Sequence, residues 1–474
     1  MKAIDVKEKK LTENISDVRE VQQARFSEDY KYIIDSDGQR VEYGDPRVVH
    51  VWPIDFNPYM ARLMKNTYQR MGWKSRVTGK TNAEVFQYSK RLCSGRECLP
   101  CTAVTGGTYQ DILNNRGEDE ISIYYNLDQD GPCQNGAWPM LWETFAKRLN
   151  MRNIVFLAFP CIKNNYMSFG LKLAIRFGIA ALIGDIMDEA ENTLLCLAKD
   201  RESAREIFQT ETFRALDCAK IGIRPLITGL KEWSKIISKI PLRATIEETP
   251  KVLIIGGINV AFLHYPVTEL LLEEGILSKR VDFSEFLCAL ESENVMRYGF
   301  MNGRINPTEQ FKIMTILLSL LFEKKNKQLA RFALRNRVHI AGLEFLLRQF
   351  RKIIAKSGLL YDLPSSEIKL AIAGHKYISV NAITESILTV GKYERTIENN
   401  IFDGMINLGS FNCQPAMNSQ AIIRPLANKS DLPYVSIDTE GPWISTNQRK
   451  LIENVIIQAK RIRKKKNEMS SSHH

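Results

Sequence analysis

Residues 48–72 read VVHVWPIDFNPYMARLMKNTYQRMG. The apolar run over 48–55, ending at Pro53, predicts a buried strand. Residues 58–72 place Met60, Leu63, Met64 and Tyr68 on one face at helical spacing, which predicts an amphipathic helix. A buried strand followed at once by such a helix opens a βαβ unit. The same alternation continues downstream. KSRVTG (74–79) predicts a short strand or turn, and NAEVFQYSKRL (82–92) a helix. GTYQDILNNR (107–116) predicts a helix with glycine and threonine at its start, and ISIYYN (121–126) a strand. GAWPMLWETFAKRLN (136–150) predicts a helix, and NIVFLAFP (153–160) a strand stopped by Pro160.

From about 168 to 245 the pattern turns helical. A second α/β stretch starts at KVLIIGGIN (251–259), with a helix over TELLLEEGI (268–276) and more helix in FSEFLCAL and across 308–357. DGMINLGSF (403–411) and LPYVSID (432–438) predict strands, each followed by a helix. The expected fold class is α/β, with two doubly wound parallel-sheet domains joined by a helical region. The expected division is a polar N-terminal extension or small cap (1–45), a first α/β domain with a cysteine loop (46–167), a helical connection (168–248), a second α/β domain with a helical insert (249–466) and a tail (467–474). No internal sequence repeat is visible.

Composition is that of an ordinary folded protein, with 44% apolar and 25% charged residues. The net charge of +11 is uneven: KRIRKKK, Lys460 to Lys466, has six cations in seven residues. Its ordinary reading is a solvated helix end, where cations also suit the dipole. No nucleic-acid recognition motif accompanies it. The opening MKAIDVKEKKLTENISD lacks the apolar core of a signal peptide, SSSHH looks like a tag remnant, and no apolar run reaches the roughly 20 residues that span a bilayer. The longest apolar segments, IMTILLSLLF and FGIAALIGDIM, fit buried helices. A cytoplasmic protein without nucleic-acid or membrane partners is expected.

Nine cysteines in such a chain point to metal binding or catalysis rather than to disulfides wherever they cluster. Cys196, Cys218 and Cys288 occupy apolar helical patterns and read as core residues. The other six fall in loops. Cys93, Cys98 and Cys101 share RLCSGRECLPCTAVTGG (91–107), in the turn between two predicted helices. Cys133 follows one predicted strand in GPCQNG, Cys161 directly follows NIVFLAFP, and Cys413 directly follows DGMINLGSF. The carboxyl ends of parallel strands are where open α/β sheets form ligand crevices. Helix N-termini there favour thiolates, the metal-binding form. Cys98-x-x-Cys101 alone is equally a zinc half-site, and any one of these cysteines alone is a possible spectator. Soft thiolates select iron–sulfur clusters or zinc. The four internal histidines, His50, His264, His339 and His375, are scattered, which argues against a histidine-rich site.

The segments SGRECLPCTAVTGGTYQDIL, GPCQNGAWP, FPC and FDGMINLGSFNCQPA…LPYVSIDTEG resemble the 2-hydroxyacyl-CoA dehydratase/benzoyl-CoA reductase superfamily. The closer resemblance is to activase-related proteins, which form the C-terminal part of large CoA-enzyme activases, and to double-cubane cluster proteins. It covers roughly residues 45–460. It implies tandem α/β domains with an iron–sulfur cluster lying between them. It also implies an ATP-hydrolysing partner activase, with its own 4Fe–4S cluster, that delivers low-potential electrons for reduction of a small substrate. The resemblance further implies Cys93, Cys98, Cys101, Cys133, Cys161 and Cys413 as ligands. Six cysteines match a double cubane (8Fe–9S), with a 4Fe–4S cluster as the alternative. Cys93 has a spacing to Cys98 that maps least well. A homodimer is compatible with this reading.

ATP binding in this chain is not expected: TGKT (78–81) matches the end of a phosphate-binding loop, but Lys74 stands where its first glycine is required. IIGGIN reads as tight strand-to-helix packing. Asp438 and Glu440 face the predicted crevice as candidates for proton transfer or cluster shielding, with a polar turn as the ordinary reading. Three functions stay open: an ATP-dependent iron–sulfur reductase component, a dehydratase-type 4Fe–4S subunit acting on a CoA thioester, and a non-enzymatic electron relay or zinc-stabilised scaffold. The catalytic residues are not identified.

Overall fold

Strands that are apolar throughout become the inner strands of parallel sheets, covered by helices on both faces. The computed structural model shows two such sheets. It describes residues 22–52, 57–128, 133–160, 170–258, 260, 265–322, 327–362, 364–382, 384–439 and 441–471. The described chain forms two compact units that divide within one long helix, at Phe177/Gly178, with Cys133 grouped with the second unit.

In the first unit, β1 (Arg25–Phe26), β2 (Ile33–Ile34) and β3 (Arg40–Val41) pair as a small antiparallel sheet. The main elements follow as β4 (Val48–Trp52), α1 (Pro58–Arg70), β5 (Lys74–Val77), α2 (Ala83–Ser89), α3 (Leu99–Asn114), β6 (Ile121–Asp128), α4 (Trp138–Arg148) and β7 (Ile154–Pro160). The main sheet is parallel with order β5-β4-β6-β7 and registers such as Val48↔Ile121 and Trp52↔Val77. Helix α1 starts where Asn57 Oδ1 accepts the amides of Tyr59 (2.9 Å) and Met60 (3.1 Å), with Pro58 at its first position. It buries Met60, Leu63, Met64 and Tyr68, the face expected from spacing. Each large apolar side chain so buried contributes roughly 1.5–3 kcal/mol.

The second unit holds most of α5 (Leu171–Leu197), then α6 (Arg201–Asp217) and α7 (Ile223–Ile237). Next come β8 (Lys251–Ile255), α8 (Tyr265–Glu273), β9 (Leu277–Arg280) and α9 (Phe283–Met301). A helical stretch follows: α10 (Pro307–Gln310), α11 (Ile313–Phe322), α12 (Lys327–Ile354), α13 (Glu367–His375) and α14 (Ser386–Asn399). The unit closes with β10 (Gly404–Ser410), α15 (Gln414–Ala427), β11 (Tyr434–Thr439) and α16 (Thr446–Ser471). Its sheet is parallel with order β11-β10-β8-β9. Its core joins Val252, Ile254, Leu271, Ile406, Leu408 and Ile452 across β8, α8, β10 and α16.

The two sheets share one topology. In each, the second strand lies on one side of the first and the third and fourth lie on the other. Each therefore has a switch point at the carboxyl ends of its first and third strands: β4 and β6, then β8 and β10. This repeat is architectural and left no visible repeat in sequence.

Several expectations change. Helix α3 starts at Leu99, eight residues before the expected glycine start, because Pro100 suits an N-terminal helix position. Gly106 is mid-helix, where a Cβ would collide with the Val85 carbonyl of α2. Strand β9 was not expected because LSKR looks polar; its Lys279 and Arg280 are buried against Asp282 and Asp188. Within KRIRKKK, Arg463 and Lys466 reach the fully buried Asp403 at 2.8 and 3.0 Å, so the run is partly a buried anchor rather than only a solvated end. Helix α11 is not fully buried: Met314, Leu318 and Leu321 are exposed.

Candidate metal centre

The cysteine loop is shaped by its own backbone needs. Cys93 follows α2, and its amide donates to the Ser89 carbonyl at 2.8 Å. Glu97 then turns its carboxylate back on the loop, accepting the amides of Ser94 (3.0 Å), Gly95 (3.0 Å) and Arg96 (3.2 Å). Burial works against that charge, but the Ser94 and Gly95 amides hold its pKa below the usual value. Gly95 has φ +86°, a conformation that suits glycine.

Cys98 is the N-cap of α3 with extended backbone, and its thiol makes no capping bond. Its amide donates to Gln134 Oε1 at 2.7 Å. Gln134 is the residue after Cys133, so this bond ties the loop after β6 to the cysteine loop. Cys101 is the third residue of α3 and is 1% exposed; Cys98 is 7% exposed. One turn further, Thr105 is buried. Its hydroxyl accepts Trp142 Nε1 at 2.8 Å. Burial, with Glu97 nearby, pushes the Cys93 thiol up to about 12. Burial raises Cys101 well above the usual value, and the Cys98 and Cys93 sulfurs add to it.

In the second unit Cys413 is also a helix N-cap, of α15, again without a side-chain capping bond. It follows β10, the third strand of its sheet, as Cys133 follows β6, whereas Cys98 lies between α2 and α3, before β6. Asn412 before it sits at φ +61°. Cys98 and Cys413 each precede a proline by two residues, and Cys133 and Cys413 each precede a glutamine. Cys133 is half-exposed and directly precedes the 3-10 turn Gln134–Ala137. Cys161 and Glu440 lie outside the described residues. Asp438 is the penultimate residue of β11, is exposed, and accepts Gln420 Nε2 at 3.0 Å. Cys196 and Cys288 are core residues as expected, whereas Cys218 is only half-buried, at the 3-10 turn after α6.

Sequence reading did not single out three polar side chains at the carboxyl edge of the first sheet. Asn57 Nδ2, both side-chain polar atoms of Asn135, and Trp138 Nε1 are buried with no hydrogen-bond partner among the described residues. Asn57 lies beyond β4 and the other two beyond β6, the two strands that flank the switch point. Unspent buried donors are costly and suit a site that awaits an acceptor. The only available signal was their position beside Cys133 and after the 48–55 strand.

The carboxyl edge of the second sheet carries a buried ionic network, also unforeseen. Lys392 Nζ binds Glu285 Oε2 at 2.8 Å, and Lys279 pairs with Asp282. Arg280 pairs with Asp188 at 2.7 Å, and Arg351 with Glu189 at 2.7 Å. Glu285 and Lys392 line a cavity of about 30 Å³ together with Gly256 and Gly257. Both glycines have positive φ, and a Cβ on Gly256 would collide with the Leu408 carbonyl. This is the tight packing expected of IIGGIN. Burial, followed by the neighbouring Asp282, raises Asp185 to about 7; burial, followed by Glu285, raises Glu367 well above the usual carboxyl value.

Among the described residues, no three His, Cys, Asp or Glu side chains converge on a position for one metal ion. Thiolates are donors that iron–sulfur clusters and zinc both take, and the described loop cysteines are Cys93, Cys98 and Cys101 in the cysteine loop, Cys133 after β6 and Cys413 after β10. No model of a known protein family matches the chain, and no curated protein sequence matches it significantly.

Proposed function

We propose that this chain is the iron–sulfur component of a reductase, charged with low-potential electrons by an ATP-hydrolysing partner and acting on a small substrate. The ligands would be Cys93, Cys98, Cys101, Cys133, Cys161 and Cys413. The observation that carries the reading is the shared local setting of Cys98 and Cys413. Each is the N-cap of a helix, two residues before a proline, with its thiol not used in capping.

A bound iron–sulfur cluster supplies one-electron chemistry, at potentials set by ligation, hydrogen bonding and exposure. The chain's own groups would do the rest. The N-termini of α3 and α15 favour negative charge on the thiolates. Burial of Cys98 and Cys101 keeps water from their sulfurs. Gln134 fixes the start of α3. Asn57, Asn135 and Trp138 have donors to spend on sulfur or on substrate.

The test is electron paramagnetic resonance on anaerobically reconstituted, chemically reduced protein. Cys98→Ser and Cys413→Ser should each lose or change the cluster signal, while Cys288→Ser, a core residue, should not. A wild-type protein with no cluster signal would overturn the reading.

A further inference from the structure

The α11–α12 hairpin has an outer surface that the fold does not use. On α11, Met314, Leu318 and Leu321 are spaced four and three residues apart, so they line one stripe. They are 58%, 46% and 72% exposed, while Ile316 on the other side is buried against Ala330 and Ala333 of α12. On α12 the exposed residues also recur every three or four positions, from Lys327 through Arg331, Arg335, Val338, Gly342 and Phe345 to Arg348. Apolar side chains therefore stand among cations. In the described residues 307–322 and 327–357 seven Lys or Arg are exposed against one exposed Glu, Glu309. An exposed apolar face of this kind marks a contact surface.

We propose that this hairpin is a peripheral docking surface for an anionic lipid membrane. Charge complementarity selects the occupant: a negative leaflet attracts clustered Lys and Arg, and their stems snorkel while aliphatic side chains enter the acyl boundary. The stripe is aliphatic, with Phe345 as the aromatic residue on it and no Trp or Tyr. Leu and Phe on the apolar side with Lys and Arg beside them are the composition of helices that lie in a membrane interface. A second copy of the chain would set like charges face to face. The sequence led us to expect no membrane partner because no segment spans a bilayer. No described helix is long and apolar enough to cross one, and surface docking needs none.

The test is co-sedimentation of the full chain with vesicles of phosphatidylcholine alone or mixed with phosphatidylglycerol, at low and physiological salt. Wild type should sediment with the mixed vesicles only. Leu318→Glu/Leu321→Glu and Arg331→Glu/Arg335→Glu should each weaken binding at least about tenfold while keeping circular dichroism and unfolding midpoint. Val338→Glu/Phe345→Glu serves if the leucine pair fails to fold. No sedimentation with mixed vesicles, or equal sedimentation with neutral ones, would overturn the proposal. Binding that needs the arginines but not the leucines is general polyanion binding, as to nucleic acid, and would overturn it. A wild-type dimer that the leucine variant dissolves would give the face to a second copy, with the same consequence.

Discussion

Replacing Gln134 with leucine removes the acceptor of the Cys98 amide at nearly unchanged side-chain size. The bond is short, 2.7 Å, and Cys98 is buried. A buried donor that loses its acceptor costs about 1–3 kcal/mol. At about 2–4 °C per kcal/mol for a unit of this size, unfolding of the first unit should shift down by roughly 2–12 °C. Gln134→Glu keeps an acceptor in place and, as a charged acceptor, makes a stronger bond. Thermal and urea unfolding followed by tryptophan fluorescence reads the change, with Trp233→Phe/Trp443→Phe as the background that confines the signal to the four tryptophans of this unit. The same samples, reconstituted with iron and sulfide, report the effect on the ligand loop. The leucine variant should be less stable and bind less iron, while the glutamate variant should stay near wild type in stability. Equal stability and equal iron in all three proteins would refute the idea that Gln134 holds the start of α3.

Other outcomes follow from named contacts. Lys392→Met leaves Glu285 buried without its cation and should destabilise the second unit by about 3–5 kcal/mol, with Glu285→Gln in the same chain restoring much of it, as denaturant midpoints would show. His50 is fully buried, between Trp73 and Tyr68, and burial lowers its pKa to about 3. The unfolded histidine, at about 6.5, takes up a proton that the native one refuses, so stability from this group is complete above that value and falls as pH drops from about 6.5 towards 3. The slope is at most about 1.4 kcal/mol per pH unit, and His50→Phe should flatten it in denaturant midpoints measured across that range. Gly106→Val should cost about 1–3 kcal/mol by forcing α3 away from Val85, measured by thermal unfolding.

Much of this fold is legible in the chain, and the reason is physical. Strands buried on both faces must be apolar throughout, and KVLII and GMINLGS are wholly buried where they were expected to be. Helix α1 shows its buried face through spacing alone. What stayed hidden depended on partners distant in sequence. Strand β9 looks like surface because the carboxylates that neutralise Lys279 and Arg280 include one from α5, far upstream. The start of α3 was misplaced because two central glycines read as a boundary, although Gly106 is there for contact with α2. In the site, spacing and strand ends located the cysteines. The Gln134 link and the unspent Asn135 and Trp138 groups need coordinates to be seen. The shared strand order of the two sheets was equally invisible, because topology carries no residue pattern of its own.

The most direct test is the iron and acid-labile sulfide content of the anaerobically purified or reconstituted chain. The account predicts about eight iron per chain with a comparable amount of sulfide, held on six cysteines. About four iron would favour the single-cubane, dehydratase-type reading instead. Zinc without sulfide, or protein that binds neither iron nor sulfide, would contradict the central claim.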